Sequence, residues 1–209
     1  MGIAARSPWS TDSPNGESLR TSANAITLIR TVASLACCMF AASTEQLTWL
    51  LVGLAIYWVG DMLDGAVARW RDCETRAGAV LDLLCDRLNC GAFYVGLCWI
   101  DPVMAIPVSV YLFEFMVLDA FLSLAFLAWP IRSPNYFYVV DRTIWLWNWS
   151  KPAKALNSAL FALLLIFTGW WQVGLVFALA LVALKVTSLV RLQKLGLPIP
   201  HHDGVTSAR

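Results

Sequence analysis

Long apolar stretches alternate with short polar breaks through most of this chain. Six of them, at residues 24–42, 47–70, 77–99, 106–129, 152–170 and 171–190, match the roughly 18–25 helical residues that a bilayer core requires. The breaks are residues 43–46, 71–76, 101–105, 131–151 and the Gly169-Trp170-Trp171-Gln172 turn. The predicted fold is an all-α integral membrane protein with six transmembrane helices. Its helical domain covers residues 21–195, between a polar N-terminal tail at 1–20 and a C-terminal tail at 196–209.

Basic residues set the expected orientation. Arg6 and Arg20 precede the first span, and Arg69, Arg71 and Arg76 lie between the second and third. Arg132, Arg142, Lys151 and Lys154 surround the loop before the fifth, and Arg191 and Lys194 follow the sixth. The opposite loops hold no Lys or Arg, which places both termini on the cytoplasmic side. Trp49, Trp70, Trp99, Trp129, Trp170 and Trp171 stand near span ends, as interfacial anchors do. The aromatic and polar segment 133–148, with Tyr136, Phe137, Tyr138, Trp145 and Trp147, reads as a short interfacial helix.

Composition agrees. The 209-residue chain is 59% hydrophobic and 14% charged, whereas soluble domains run about 45–50% and about 25%. Mean hydropathy is +0.65. A net charge of +1 provides no broad cationic surface, so nucleic acid is not an expected partner. The six cysteines form no CxxC pair and read as small buried hydrophobes. His201 and His202 lie in the polar tail and carry no metal signature.

The spans contain acids that hydrocarbon does not tolerate alone. Asp61 and Asp64 are spaced i, i+3, and Asp82 and Asp86 i, i+4. Each pair shares one helix face. Unpaired buried charge is costly, so these acids need cations or water. One reading pairs them with Arg69, Arg76 and Arg87, or makes them an ion path together with Glu114 and Asp119. The other uses them as oxygen ligands for a hard divalent ion such as Mg²⁺ or Mn²⁺. An antiparallel hairpin brings all four together, and two metals roughly 4 Å apart can bridge phosphates. Gly65 and Gly78 leave room for a ligand beside the acids, Ala68 is small on the same face, and Arg69 can address a phosphate.

The stretch from Asp61 to Asp86 resembles the signature of the CDP-alcohol phosphotransferase (CDP-alcohol phosphatidyltransferase) family, D-x2-D-G-x2-A-R-x8-G-x3-D-x3-D. Every fixed position matches, at Asp61, Asp64, Gly65, Ala68, Arg69, Gly78, Asp82 and Asp86. The resemblance implies a six-helix membrane enzyme, commonly a homodimer, that moves a phosphate-bearing group from a CDP-alcohol to an acceptor hydroxyl and releases CMP. It implies that Asp61, Asp64 and Asp82 hold one metal, and Asp61, Asp82 and Asp86 a second. Asp86 is the implied general base. Gly65, Arg69, Thr75, Gly78 and the stretch Asn24-Ala25-Ile26-Thr27, followed by Arg30, match positions that meet the CDP moiety.

The expected donor is CDP-diacylglycerol, in a bacterial plasma membrane with the site facing the cytoplasm. Arg142, Lys151, Lys154, Lys185 and Arg191 are the candidate acceptor pocket, which suits an alcohol that itself carries phosphate, such as glycerol 3-phosphate or inositol phosphate. The Arg-Glu pair that phosphatidylglycerophosphate synthases carry in the fourth span is here Phe113-Glu114. Ser150-Lys151-Pro152-Ala153-Lys154 is slightly similar to the fifth-span entry of cardiolipin synthases, which keeps phosphatidylglycerol as an alternative acceptor. An ion or proton transporter is the competing class, and it leaves Gly65, Gly78 and Ala68-Arg69 without a purpose.

Overall fold

The computed structural model describes residues 17–198. Most of the expected tails, with Arg6, His201 and His202, lies outside the described residues. Among the described residues the chain is helical, with no β-strand. The main helices are α1 (Ser22–Thr44), α2 (Leu47–Trp70), α3 (Arg76–Ile100), α4 (Pro102–Ala128), α5 (Arg142–Thr168) and α6 (Trp171–Leu195).

Local chemistry explains where they start. The Thr21 and Thr75 side chains accept from the Asn24 and Gly78 backbone N–H groups and cap α1 and α3. Asp101 caps α4 through the Val103 N–H, with Pro102 in the first turn. Asp141 caps α5 through the Ile144 N–H, 2.8 Å away. That cap starts a short first segment, Arg142–Asn148, and after a break at Trp149 the Ser150 side chain accepts from the Ala153 N–H and restarts the helix at Lys151, one residue before the apolar run that the sequence marks.

Among the described residues, five helices are long and apolar enough to cross a membrane: α1, α2, α4, α5 and α6. The remaining one, α3, carries Arg76, Asp82, Asp86 and Arg87 within its 25 residues. Its outward stripe is nevertheless apolar, with Leu84, Leu88 and Val95 more than half exposed.

Helix α1 packs along α2 and α3, and α4 packs along α6. A shared core joins all six. Leu50, Phe93, Tyr111 and Phe161 are almost fully buried in it, and the Tyr111 and Phe161 rings stack at 4.2 Å. Two helices are irregular there. Residues Glu114–Asp119 of α4 and Ala155–Leu160 of α5 are π-helical, and the Tyr111 hydroxyl donates to the Asn157 carbonyl at 2.7 Å. Such π turns leave backbone carbonyls without their usual helical partner, and this phenol takes one of them.

The aromatic segment before α5 is more than a surface anchor. Residues Pro134–Val139 form a 3₁₀ turn, and Phe137, Ile131 and Ile144 are buried with Phe126 and Leu192 in a second core. Only part of it, such as Tyr138, faces outward. This second core packs against the start of α3 through Ala79, Val80 and Leu83, beside its acids.

Candidate active site

Helix α1 supplies an unexpected centre. Asn24, Thr27, Arg30, Thr31 and Ser34 form a buried polar stripe facing α2 and α3. Arg30 Nε donates to Asp64 Oδ2 at 2.8 Å, and Thr27 Oγ1 donates to the same oxygen at 2.8 Å. Arg30 Nη2 reaches Asp82 Oδ1 at 2.6 Å, Asp86 Oδ1 at 2.9 Å and Asp61 Oδ1 at 3.4 Å. The hairpin of α2 and α3 therefore brings all four acids to one point, and the cation facing them is Arg30. Of the cations the sequence offers them, Arg87 turns to Asp119, and Arg76 donates to the Leu127 carbonyl.

Small residues make this centre possible. A Cβ at Gly60 would lie 2.5 Å from both Cβ and Cδ of Arg30, so only glycine lets the guanidinium cross α2. Gly78 acts in a similar way. A Cβ there would lie 2.8 Å from Thr75 Oγ1 and 2.9 Å from Asn24 Oδ1. The space expected for a ligand at Gly78 is thus shared with two polar side chains.

Two cavities meet at the acids. The first is lined by Asn24, Thr27, Asp64, Gly65, Arg69 and Thr75, and also by Gly78 and Arg132. It gathers the expected nucleotide-contacting residues except Ala25, Ile26 and Arg30, which do not line it; Ala23 does, and Arg30 is turned to the acids instead. The second is lined by Tyr57, Asp61, Asp86, Arg87, Asp119 and Lys154, with Asn148, Asn157 and Ser158. Both cavities share Ala79, Asp82, Ser133 and Asn135.

Of the basic residues expected around an acceptor, Lys154 lines the second cavity, and its Nζ donates to Asn135 Oδ1 at 2.6 Å. Lys185 is fully buried behind the wall, where Nζ donates to Asp119 Oδ1 at 2.6 Å and Asn148 Oδ1 at 2.9 Å. Glu114 lies 3.9 Å from the same ammonium. Arg142, Lys151 and Arg191 line neither cavity. Arg191 bonds Asp141 at 3.0 Å. Burial pushes the Asp141 carboxyl up, but the Ile144 N–H and Arg191 outweigh it and hold its pKa below the usual range. Burial, then the hydrogen bond to Glu74, push the Tyr136 phenol up, so it stays a donor at neutral pH.

The acids suit a metal by chemistry and by position. Asp61, Asp64 and Asp82 each offer an oxygen, all within 4.8 Å of one another. An all-carboxylate set fits a hard divalent cation. The four acids already converge on one guanidinium, which marks a point where positive charge is stabilised.

Sequence reading offered Asp119 and Glu114 as partners of Lys185, but missed Gly60, Tyr57, Ser133, Asn135 and the pairing of Arg87 with Asp119. The signal for Gly60 was the Gly60-Asp61 step. For the others no local pattern exists, because they come from separate helices.

The family model described as CDP-alcohol phosphatidyltransferase matches residues 20–189. A phosphatidylinositol phosphate synthase of Mycolicibacterium smegmatis is 43% identical over 74 residues, 35% of this chain and 33% of that protein. The Mycobacterium tuberculosis protein of the same name is 43% identical over 77 residues, 35% and 34% of the two chains. That of Corynebacterium glutamicum is 32% identical over 81 residues, 39% and 37%. The chain thus spans about a third of the length of these curated relatives. No solved structure matches it significantly.

Proposed function

The chain belongs to the CDP-alcohol phosphatidyltransferase family, and from that premise we propose that it transfers a phosphatidyl group from CDP-diacylglycerol to a hydroxyl of a polyol phosphate, releasing CMP. The relatives named phosphatidylinositol phosphate synthase favour inositol phosphate over glycerol 3-phosphate. One observation carries the reading: two cavities join at Asp82, with Asp64 in the wall of one and Asp86 in the wall of the other.

The first cavity is the donor site. Arg69 and Arg132 address the pyrophosphate, and Asn24, Thr27 and Thr75 offer polar contacts to the nucleotide. The diacyl tails lie between helices. The second cavity takes the acceptor, with Lys154 toward its phosphate and the Asn148, Asn157 and Ser158 side chains toward its hydroxyls. Asp86 accepts the proton of the attacking hydroxyl. The acceptor oxygen bonds to the diacylglycerol-bearing phosphorus, the phosphoanhydride bond breaks, and CMP leaves with the electron pair.

Asp61, Asp64, Asp82 and Asp86 are the residues that would hold two Mg²⁺ or Mn²⁺ ions. Bound there, such ions supply neutralisation of phosphate charge. Meanwhile the protein's own contribution is positioning. Arg30 and Thr27 fix Asp64, and the α2–α3 hairpin fixes the spacing of the rest.

In this reading α3 is a sixth crossing. Its 25 residues span about 37 Å at roughly 1.5 Å each, its acids face inward, and its outer stripe is apolar. Both termini and the acids then face the cytoplasm of a bacterial plasma membrane, and the enzyme works as a homodimer. The test is CMP release from CDP-diacylglycerol and Mg²⁺ with a panel of inositol phosphate, glycerol 3-phosphate, phosphatidylglycerol, serine and inositol. Inositol phosphate should give the fastest release. Silence with every acceptor would overturn the reading.

A further inference from the structure

Residues 132–136 cross the mouth where the two cavities join. Both flanks of this strap are fastened. Arg132 Nη1 reaches Asp72 Oδ1 at 3.1 Å, and the Tyr136 hydroxyl donates to Glu74 Oε2 at 2.6 Å. Both acids belong to the turn between α2 and α3. Asn135 is held from the other side, by Lys154 at its side chain and by Trp145 Nε1 at its carbonyl, 2.9 Å away.

Ser133 lies between these fastenings, and its side chain is anomalous. It precedes a helical turn that has Pro134 in its first positions, where a serine ordinarily accepts a backbone N–H. Here it makes no such cap. The residue is only 7% exposed, and its Oγ is buried without any hydrogen-bond partner. A buried hydroxyl left unpaired destabilises the fold. Its position is nevertheless fixed, and it lines both cavities at the point they share with Asp82.

We propose that Ser133 is a catalytic residue whose hydroxyl donates a hydrogen bond to an oxygen of the phosphoryl group passing from donor to acceptor. This rests on the transferase reading above. The transferred phosphorus is the one group that must contact both cavities, since its bond to CMP breaks on one side and its bond to the acceptor forms on the other. A hydroxyl at the shared wall meets that group as it passes between the two cavities, so its contact is strongest in the transition state, where the phosphoryl oxygens lie between donor and acceptor. The surrounding carboxylates leave hydrogen-bond acceptors in excess, so a neutral donor adds attraction for phosphoryl oxygens without adding a charge that would compete for Asp82 or Asp86.

The experiment compares wild type, Ser133→Ala and Ser133→Thr in detergent. Melting is measured without substrate, CDP binding by calorimetry with Mg²⁺, and kcat and KM by CMP release. Ser133→Ala should melt at or above the wild-type temperature, because it removes an unpaired buried hydroxyl. It should bind CDP as wild type does, keep the acceptor KM, and lose kcat by about 10-fold or more. Ser133→Thr, which keeps the hydroxyl, should recover part of that loss.

Three results would overturn the assignment. Parallel loss of melting temperature and kcat would make Ser133 a structural cap. A kcat within twofold of wild type would leave the hydroxyl without a phosphoryl contact. A raised acceptor KM at unchanged kcat would assign it to the acceptor. A wild type that releases no CMP overturns the transferase reading itself, and this proposal with it. An active wild type beside an equally active Ser133→Ala overturns this proposal alone.

Discussion

Arg30 crosses α2 at Gly60, in a space that a single methyl group would fill. A Cβ at position 60 would come within 2.5 Å of two Arg30 side-chain carbons. Gly60→Ala should therefore push the guanidinium off the acids. Overpacking of this kind costs about 1–3 kcal/mol. Melting in detergent should show that loss, and CMP release should fall further than stability does, because the acids lose their fixed spacing.

Removing the cation tests the same centre from the other side. Asp64 is 4% exposed and receives both Arg30 Nε and Thr27 Oγ1. Arg30→Met leaves a buried carboxylate with only the threonine. Breaking a buried pair by deleting one partner costs about 3–5 kcal/mol. The expected result is a large fall in melting temperature in EDTA. Added Mg²⁺ should then raise the variant's melting temperature by more than it raises that of wild type. An equal rise in both would show that Arg30 and the ion do not share these oxygens.

The acids were legible in the sequence because they come from one hairpin, where spacing alone places them on facing surfaces. Arg30 was not legible as their partner. Its contacts lie 31 to 56 residues away, and no local pattern encodes a contact between α1 and that hairpin. All six helices were legible as apolar stretches, and five of them are long and apolar enough to cross a membrane, whereas α3 carries the very charges that make the site. The π turns at Glu114–Asp119 and Ala155–Leu160 leave no periodic trace, since one extra residue per turn keeps the stretch apolar. In the segment before α5 the aromatic pattern was visible but ambiguous. The same residues suit a membrane interface and a buried plug, and only packing against Phe126 and Leu192 distinguishes them.

Asp119 is more important to the wall of the second cavity than Lys185 is. Asp119 holds both Lys185 and Arg87, and Ser123 Oγ lies 3.4 Å away. Asp119→Leu takes the nearest carboxylate from two buried cations, leaving Lys185 with Asn148 and the more distant Glu114, whereas Lys185→Met still leaves Asp119 with Arg87. Each deletion should destabilise by a few kcal/mol, about 3–5 for a fully stranded charge, and Asp119→Leu should cost the more. The double variant should be more stable than Asp119→Leu alone, since it removes one of the two stranded charges. Urea or thermal melts of the three variants check the order.

Asp86 and Asp61 line only the second cavity, away from the first, whose wall holds Asp64 and Asp82. Asp86→Asn keeps the size of the side chain and an oxygen that can accept from Arg30 Nη2, now 2.9 Å from it. The amide cannot take a proton from an attacking hydroxyl. Turnover should fall by about 10²–10⁴-fold, the usual range for a lost general base. Melting temperature and CDP binding should stay close to wild type. Retained CMP release in Asp86→Asn would remove Asp86 from the proton transfer and leave it a ligand and counter-charge only.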